Sequence, residues 1–395
     1  MTHVAYVSTY VPKRCGLATY TDHLRQWVRE AGRGRAEDTV IAMVDDQERL
    51  EEYDARTWFL RRNVIDAYRE MARRLNESPV DVVSLQHEFG IFGGDAGAHI
   101  VEFVRELRKP LVTTFHTVLE HPEEPYRRVQ RALAERSDRI VVMSRCALQI
   151  LGRVYGVPMG KMVHIPHGTP VPTPERRSAI RKLLGWSGRR VLMTFGLLGP
   201  GKGIDLILRA LPSVIERVPD VLYAIVGQTH PEIRRRDGEA YREQLESMVR
   251  NLGLSRHVVM VNRYLSEQDL VDHILACDLY VTPYPGMQQI TSGTLAYAVG
   301  LGRPVLSTPY VYARDLLEGM GELLIPYGDV EAWSQALIRL LSDDTVLRRY
   351  EWRMAQIGRE MYWPRVGETH LELFDQVARL GAGASGGTAV ATVSR

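Results

Sequence analysis

The feature of this sequence that most constrains its fold is a regular alternation of short apolar segments with longer amphipathic ones. Val4 to Thr9, Asp81 to Gln86 and Pro110 to His116 are rich in apolar residues, and helical patterns separate them. Strands that alternate with helices in this way predict a parallel, doubly wound sheet. The same alternation begins again at Arg190. The sequence therefore predicts an α/β fold with two similar halves.

A proline-rich connector marks the boundary between the halves. Residues 169–177 read TPVPTPERR, and prolines at this density make a stiff linker. The chain has 395 residues, which exceeds one ordinary core. The last residues contain few large apolar side chains that could order them. We predict an N-terminal domain over 1–170, a C-terminal domain over 171–355, a final helix over 356–380 and a disordered tail over 381–395.

The charge balance and the cysteines exclude several classes of protein. Lys and Arg number 50 against 48 Asp and Glu, so no positive excess indicates a nucleic-acid partner or a membrane surface. No apolar run is long enough for a transmembrane segment, and the N-terminus lacks the pattern of a signal peptide. The three cysteines are too widely spaced for a disulfide framework or a metal site. We expect a reduced, cytoplasmic, metal-independent protein without a cofactor.

In the first half, polar residues collect in loops that follow strands or precede helices. One loop places two cations beside a glycine, an arrangement that suits anion binding or close approach of a substrate. Three other loops place histidines after apolar strands, at the edge where doubly wound sheets bind ligands. A single histidine is more often a packed or solvated residue, which is the alternative for each. The candidates are Arg14, Gly16, His87, Glu88, His116 and His167.

In the second half, two features suit a phosphate group. Residues 196–203, GLLGPGKG, form a glycine-rich loop that carries Lys202 beside Gly201. The segment TSGT precedes a small apolar helix, and a helix start presents free N–H groups with the positive end of the helix dipole behind them. An ordinary Ser or Thr helix cap is the structural alternative. The residues of this segment are Thr291, Ser292, Gly293 and Thr294.

The chain resembles the retaining glycosyltransferases of family 4, which have the two-domain fold called GT-B. FGLLGPGKGIDLILRAL is similar to the family's GRL-xx-EKG loop and the helix after it, and HIPHG is similar to its I-P-N-G. DLYVTPY and GRPVLSTP resemble the strands around the E-x7-E motif, and Trp363 resembles the family's tryptophan before its last helix. The resemblance covers nearly the whole chain. It implies two Rossmann-like domains that face each other across a cleft, with a C-terminal helix that crosses back to the N-terminal domain.

The sequence departs from the family where the donor would be held. Counting back from Gly302, the two motif glutamates fall at Gln289 and Tyr297. In the family, the first lies near the donor sugar and the second grips the nucleotide ribose. The arginine of the phosphate pair falls at Leu197, whereas its lysine is retained as Lys202. A tyrosine hydroxyl cannot reproduce the charge-assisted hydrogen bond of a carboxylate, and loss of an arginine removes a bidentate clamp.

The resemblance assigns roles to the remaining candidates. It implies that Lys202 stabilises the leaving phosphate and that His116 contacts the donor sugar. The Gln289 amide can hydrogen-bond sugar hydroxyls but cannot act as an acid or base. These three are the candidate catalytic residues. Arg14, Arg145 and Arg263 are the candidates for the missing positive charge. The donor is assigned to Gly16, Gly201, Lys202, Arg263, Thr291, Ser292, Gly293, Thr294 and Tyr297, and the acceptor to Arg14, His87, Glu88 and His167.

Three functions are consistent with these residues. We favour a retaining glycosyltransferase that moves a hexosyl group from a nucleoside diphosphate sugar to a soluble sugar or another hydroxyl acceptor. The first alternative is a retaining glycoside phosphorylase that uses a sugar 1-phosphate and inorganic phosphate, because the ribose glutamate is lost. The second is a non-catalytic sugar- or nucleotide-binding protein. A retained cationic phosphate loop argues against the second alternative.

Overall fold

The computed structural model describes residues 2–34 and 36–385, with side chains in the last helix up to residue 381. The chain forms two compact units. Unit 1 contains the chain up to Gly168 and from Trp363 onward, and unit 2 contains Thr169–Tyr362. Each unit has a parallel sheet with helices around it, so the prediction of two α/β halves is confirmed.

The sheet of unit 1 has seven parallel strands in the order β3-β2-β1-β4-β5-β6-β7. The chain leaves β1 in one direction for β2 and β3 and returns on the other side with β4, which makes a topological switch point between β1 and β4. The strands are β1 (His3–Ser8), β2 (Glu37–Val44), β3 (Trp58–Arg61), β4 (Val82–His87), β5 (Leu111–Phe115), β6 (Arg139–Val142) and β7 (Met162–His164). The helices are α1 (Gly16–Ala31), α2 (Ile65–Glu77), α3 (His99–Glu106), α4 (Glu124–Arg136) and α5 (Arg145–Tyr155).

The sheet of unit 2 has five parallel strands in the order β10-β9-β8-β11-β12, with its switch point between β8 and β11. The strands are β8 (Arg190–Phe195), β9 (Val221–Val226), β10 (Val258–Val261), β11 (Leu279–Thr282) and β12 (Val305–Ser307). The helices are α6 (Arg177–Leu183), α7 (Ile204–Arg217), α8 (Pro231–Asp237), α9 (Ala240–Asn251), α10 (Glu267–Ala276), α11 (Gly293–Gly300), α12 (Val311–Leu316), α13 (Val330–Ser342) and α14 (Asp344–Gly358). The central strands are apolar throughout because helices bury both faces of the sheet.

The last helix, α15 (Trp363–Ser385), belongs to unit 1 and packs against α1. The contact is close, because a methyl group at Gly367 would overlap the backbone of Trp27. The helix continues to Ser385, so the first five residues of the predicted disordered tail are helical. A methyl group at Gly381 would overlap Pro110, which shows that packing continues to that point. Residues 386–395 of the predicted tail lie outside the described residues.

The sequence predicts neither a membrane-spanning segment nor a metal site. Within residues 2–34 and 36–385, no helix combines the length and apolar character needed to cross a bilayer. Across the same ranges, no three or more His, Cys, Asp or Glu residues are grouped so that they could hold a metal ion.

Candidate functional site

In unit 2, three loops converge at the switch point of the sheet. The loop after β8 lies directly against those after β9 and β11, because a methyl group at Gly227 would overlap the Gly196 carbonyl and one at Gly203 would overlap that of Pro283. All three glycines have positive φ angles, +127° at Gly196, +59° at Gly203 and +137° at Gly227. Glycine adopts these angles without the clash of a Cβ atom. The glycine pattern therefore allows the close approach of the loops.

This approach brings Lys202 and the TSGT segment together. The Lys202 Nζ donates a hydrogen bond of 2.8 Å to the Tyr284 hydroxyl. That hydroxyl shares a 2.7 Å hydrogen bond with the Thr294 hydroxyl, which lies 3.1 Å from the Ser292 Oγ. A methyl group at Gly196 would lie 3.3 Å from the Lys202 Nζ, so the lysine also lies over the loop after β8. Tyr284 had no place in the predicted site, and it connects the two predicted phosphate-binding segments.

The start of α11 has the features of an anion site. Ser292 caps the helix, and its Oγ accepts from the Leu295 N–H at 3.3 Å. The first turn contains no acidic residue. The Thr291 Oγ1 is buried and has no hydrogen-bond partner within the described chain. Free N–H groups, a neighbouring ammonium and several hydroxyls provide donors for an oxyanion, and phosphate is the common occupant of such a helix start.

Three other predicted donor residues of unit 2 lie on the surface. Gln289 is exposed, and its side-chain N–H donates to the Thr291 carbonyl at 2.8 Å. Gly201 is exposed with open space where a Cβ would be. Arg263 is exposed just beyond β10. Of the three arginines proposed for the missing charge, Arg263 alone lies in unit 2, since Arg14 and Arg145 belong to unit 1.

Tyr297 is buried in α11, and its hydroxyl donates to the Glu267 Oε1 at 3.1 Å. Glu267 is the first residue of α10, directly after the carboxyl end of β10 and its loop. A carboxylate therefore lies beside position 297, although a neighbouring helix supplies it. Glu267 was absent from the sequence-based prediction. In the sequence, Glu267 follows a serine at the start of a predicted helix. This pattern is common at ordinary helix caps and does not by itself indicate a binding site.

In unit 1, His116 directly follows β5 and is half-buried. Its Nε2 lies 2.9 Å from the Gln86 Oε1, while the Gln86 amide nitrogen donates to the Ser84 hydroxyl at 3.1 Å. The Nε2 therefore carries the hydrogen, which leaves Nδ1 as an acceptor. Burial, with smaller effects from His167 and His87, lowers the pKa of His116 to about 3. His116 is neutral at ordinary pH and suits hydrogen bonding rather than proton transfer.

Glu88 and His87 lie side by side but in different surroundings. Glu88 accepts hydrogen bonds from the Thr117 hydroxyl at 2.6 Å and from the Phe89 N–H at 3.0 Å. Burial raises the pKa of Glu88. The ring of His87 is fully buried and packs against Phe89, Phe92 and Phe115.

The surroundings of His87 are apolar, although it was predicted to bind the acceptor. Both ring nitrogens of His87 lack hydrogen-bond partners within the described chain. Burial lowers its pKa to about 3. The imidazole thus fills an aromatic pocket, and its role in acceptor binding stays a prediction.

The remaining predicted residues of unit 1 lie around α1. Arg14 is exposed and Gly16 begins the helix, with open space where a Cβ would be. His167 is 8% exposed, hydrogen-bonds the Gly168 carbonyl at 2.7 Å and packs edge-on against Tyr20. Burial lowers the pKa of His167 to about 4. His167 therefore packs in the core beside Trp363, the first residue of α15, and its role in acceptor binding stays a prediction.

Comparisons with known proteins identify similar sequences and folds. A family profile described as "Glycosyltransferase Family 4" matches residues 16–171, and one described as "Glycosyl transferases group 1" matches residues 189–343. Together they cover most of both units.

Two curated relatives come from mycobacteria. A GDP-mannose-dependent alpha-(1-6)-phosphatidylinositol monomannoside mannosyltransferase of Mycolicibacterium smegmatis is 29% identical over 228 residues, which are 54% of this chain and 55% of the relative. A phosphatidyl-myo-inositol mannosyltransferase of Mycobacterium leprae is 28% identical over 289 residues, 71% of this chain and 70% of the relative. The chain thus spans about half the length of the first relative and more of the second.

A solved structure extends the similarity to the fold. The crystal structure of Anabaena Alr3699/HepE in complex with UDP matches with a TM-score of 0.75 and 18% identity, over 95% of this chain and 100% of that chain. At this identity the likeness concerns the fold, which is the two-domain α/β fold called GT-B.

Proposed function

The chain belongs to family 4 of the glycosyltransferases, and from this we propose that it transfers a hexosyl group from a nucleoside diphosphate sugar to a hydroxyl acceptor, with retention of configuration. The observation that carries the proposal is the joint presence of Lys202 and the start of α11 at the switch point of unit 2. A leaving diphosphate gains negative charge as its bond to the sugar breaks. An ammonium and free helix N–H groups stabilise that charge.

The relatives support a nucleotide donor. One is named as GDP-mannose-dependent, and the structural neighbour was solved with UDP. Glu267, which Tyr297 holds at 3.1 Å, supplies a carboxylate beside the position where the family motif has its ribose-binding glutamate. This favours a donor with a ribose over a sugar 1-phosphate, so the transferase is preferred to the phosphorylase.

The proposed chemistry uses no protein nucleophile. The bond between the sugar C1 and the diphosphate oxygen breaks, and an acceptor oxygen bonds to C1 on the same face. The acceptor proton passes to an oxygen of the leaving diphosphate, because Gln289 cannot accept it as a base. Lys202 and the N–H groups of α11 provide the electrostatic stabilisation, and we propose that no metal ion takes part.

In unit 1, the proposal gives His116 a contact with the donor sugar. Its Nδ1 carries no hydrogen, because the hydrogen is on Nε2, so Nδ1 can accept a hydrogen bond from a sugar hydroxyl. The acceptor class rests on the names of the relatives. Both relatives are named for acceptors that carry inositol, a polyhydroxylated ring. We therefore propose a sugar or a related polyol as the acceptor class.

A ligand panel tests the proposed donor. Thermal unfolding is measured with GDP, UDP, ADP, glucose 1-phosphate, mannose 1-phosphate and inorganic phosphate, because a ligand that binds the folded state raises its melting temperature. We expect one or more nucleoside diphosphates to stabilise the protein most. Stabilisation by a sugar 1-phosphate and phosphate alone would instead support the phosphorylase. Binding without hexosyl transfer to any polyol would support a non-catalytic binding protein.

A further inference from the structure

Tyr284 is held rigidly at the phosphate site of unit 2. It lies just after β11 and is 2% exposed. Its ring stacks on the ring of Tyr310, with centroids 5.4 Å apart and planes 17° from parallel. Its backbone carbonyl accepts a 2.7 Å hydrogen bond from the Thr308 hydroxyl. The position of the phenol is therefore fixed by its neighbours and does not depend on a ligand.

The fixed phenol contacts the lysine in two ways. The Lys202 Nζ donates to the Tyr284 hydroxyl at 2.8 Å, and it lies 4.4 Å from the centroid of the Tyr284 ring. The first contact is a charge-assisted hydrogen bond, and the second is a cation–π interaction. A lysine has a flexible four-carbon stem, so these contacts restrict an ammonium that would otherwise sample many positions.

The hydroxyl of Tyr284 also holds the other side of the site. It shares a 2.7 Å hydrogen bond with the Thr294 hydroxyl in the first turn of α11. An ammonium has three N–H donors and Tyr284 takes one, which leaves two for an anion. The acidic residue nearest to Lys202 in the sequence is Asp205 in α7, and it forms an ion pair with Arg209. One phenol thus connects the ammonium to the helix start.

We propose that Tyr284 is a positioning residue of the phosphate site, whose hydroxyl holds Lys202 and Thr294 as one pre-organised pair. This inference rests on the proposed function, which assigns these two residues to the leaving diphosphate. Groups that are ordered before the ligand arrives bind it more tightly, because less conformational freedom is lost on binding. Tyr284 was not among the site residues predicted from the sequence, so this role adds a residue to the site.

A double-mutant cycle tests the inference. Tyr284→Phe keeps the ring, its stacking and its cation–π contact, and removes the hydroxyl alone. Inorganic pyrophosphate, GDP and UDP are titrated calorimetrically into the wild type, Tyr284→Phe, Lys202→Ala and the double variant. We expect Tyr284→Phe to weaken pyrophosphate binding about tenfold in the wild type, and less than about twofold in the Lys202→Ala background. Equal losses in the two backgrounds would indicate a packing role and overturn the inference.

Two controls keep the test decisive. Tyr223→Phe removes another buried hydroxyl of the same sheet, which bonds the Thr194 Oγ1 at 2.9 Å, and should leave pyrophosphate affinity unchanged. If Tyr284→Phe does not fold, Thr294→Val breaks the connection from the other side, and Thr294→Ser keeps it. We expect weaker pyrophosphate binding with valine and near-normal binding with serine, whereas equal affinities in these two variants would contradict the inference.

The cycle also separates this inference from the proposed function. A wild type that binds pyrophosphate but no nucleoside diphosphate would count against the proposed function, while the pyrophosphate cycle would still decide the role of Tyr284. A wild type that binds none of these anions would overturn both.

Discussion

At the scale of single residues, the chemistry of the phosphate site depends on one cation. Lys202→Ala should lower the rate of hexosyl transfer on the order of 10²-fold or more, which is typical for removal of one such electrostatic group. The melting temperature should change little, since Lys202 packs on the loop surface rather than in the core. Steady-state kinetics and thermal unfolding measure the two effects.

The matched control for this prediction is Lys182→Ala, an exposed lysine on α6 of the same unit. It should leave both turnover and melting temperature unchanged. Near-normal turnover in Lys202→Ala would show that the diphosphate binds elsewhere.

A second residue-scale prediction concerns Tyr297 and its partner Glu267. Tyr297→Glu places a second carboxylate in a buried position next to the Glu267 carboxylate. We expect it to lower the free energy of unfolding by roughly 2–4 kcal/mol, whereas Tyr297→Phe should cost about 1 kcal/mol for the lost hydrogen bond. Urea unfolding at pH 7 measures both.

Charge repulsion as the cause is checked by adding Glu267→Gln to Tyr297→Glu. The added change should recover part of the lost stability, because it removes one of the two charges. A Tyr297→Glu protein as stable as the wild type would mean that the side chain at 297 turns away from Glu267.

At the scale of elements, the loop after β8 depends on glycine at particular positions. Gly203→Ala introduces a methyl group that overlaps the Pro283 carbonyl, at a φ of +59° that L residues rarely adopt. We expect it to lower the free energy of unfolding by about 1–3 kcal/mol and to reduce activity, because the loop moves away from α11. Chemical unfolding and turnover are the measurements.

Gly201→Ala is the matched variant in the same loop. Its Cβ would meet no atom within 4 Å, so stability should be unchanged. A loss of activity without a loss of stability in this variant would support the assignment of Gly201 to donor binding. Equal stability losses in Gly201→Ala and Gly203→Ala would contradict the packing account.

The element scale also shows what the sequence could predict. The strands β8 and β11, which precede Lys202 and the TSGT segment, are buried on both faces, so their apolar runs identify them in the sequence. Their carboxyl ends place both segments at the switch point of the sheet. The edge strand β3, Trp58–Arg61, is hard to predict because it is short and ends in an arginine. Edge strands need no continuous apolar run, so their pattern is weak.

Side-chain partners across the fold were beyond sequence reasoning. Tyr284 and Lys202 are 82 positions apart, and Tyr297 and Glu267 are 30 apart. Nothing local in the sequence pairs them, because their contacts follow from the order of strands in the sheet. His87 shows the converse: its place after a strand suggested a ligand role, and the three phenyl rings around it could be recognised only in the folded chain.

At the scale of the whole molecule, four histidines with lowered pKa values should make stability depend on pH. Burial lowers the pKa of His87 and His116 to about 3, and that of His167 and His370 to about 4. In the unfolded chain a histidine titrates near pH 6.5. Their contribution to stability is therefore complete above pH 6.5 and declines as the pH falls towards the folded-state pKa values. Each such histidine removes roughly 1.4 kcal/mol of unfolding free energy per pH unit in that range.

Urea unfolding between pH 7.5 and 4.5 measures this decline, and His87→Phe tests its origin. A phenyl ring suits the aromatic pocket and takes up no proton, so the variant should lose less stability than the wild type as the pH falls. Hexosyl transfer should be retained, since the phenyl ring fills the same aromatic pocket. An unchanged pH dependence in His87→Phe would show that the imidazole is protonated in the folded protein.

The return of α15 to unit 1 has a consequence for how the protein is made. Unit 2 consists of one continuous stretch, Thr169–Tyr362, whereas unit 1 needs the chain up to Gly168 and also the helix that begins at Trp363. A ribosome synthesises the chain from its N-terminus, and domains fold as units once they are complete. The first unit to emerge is thus the last to be completed, and its partner surface on α1 stays uncovered while all of unit 2 is translated. During that interval the nascent chain is most exposed to chaperones and to misassembly with its neighbours.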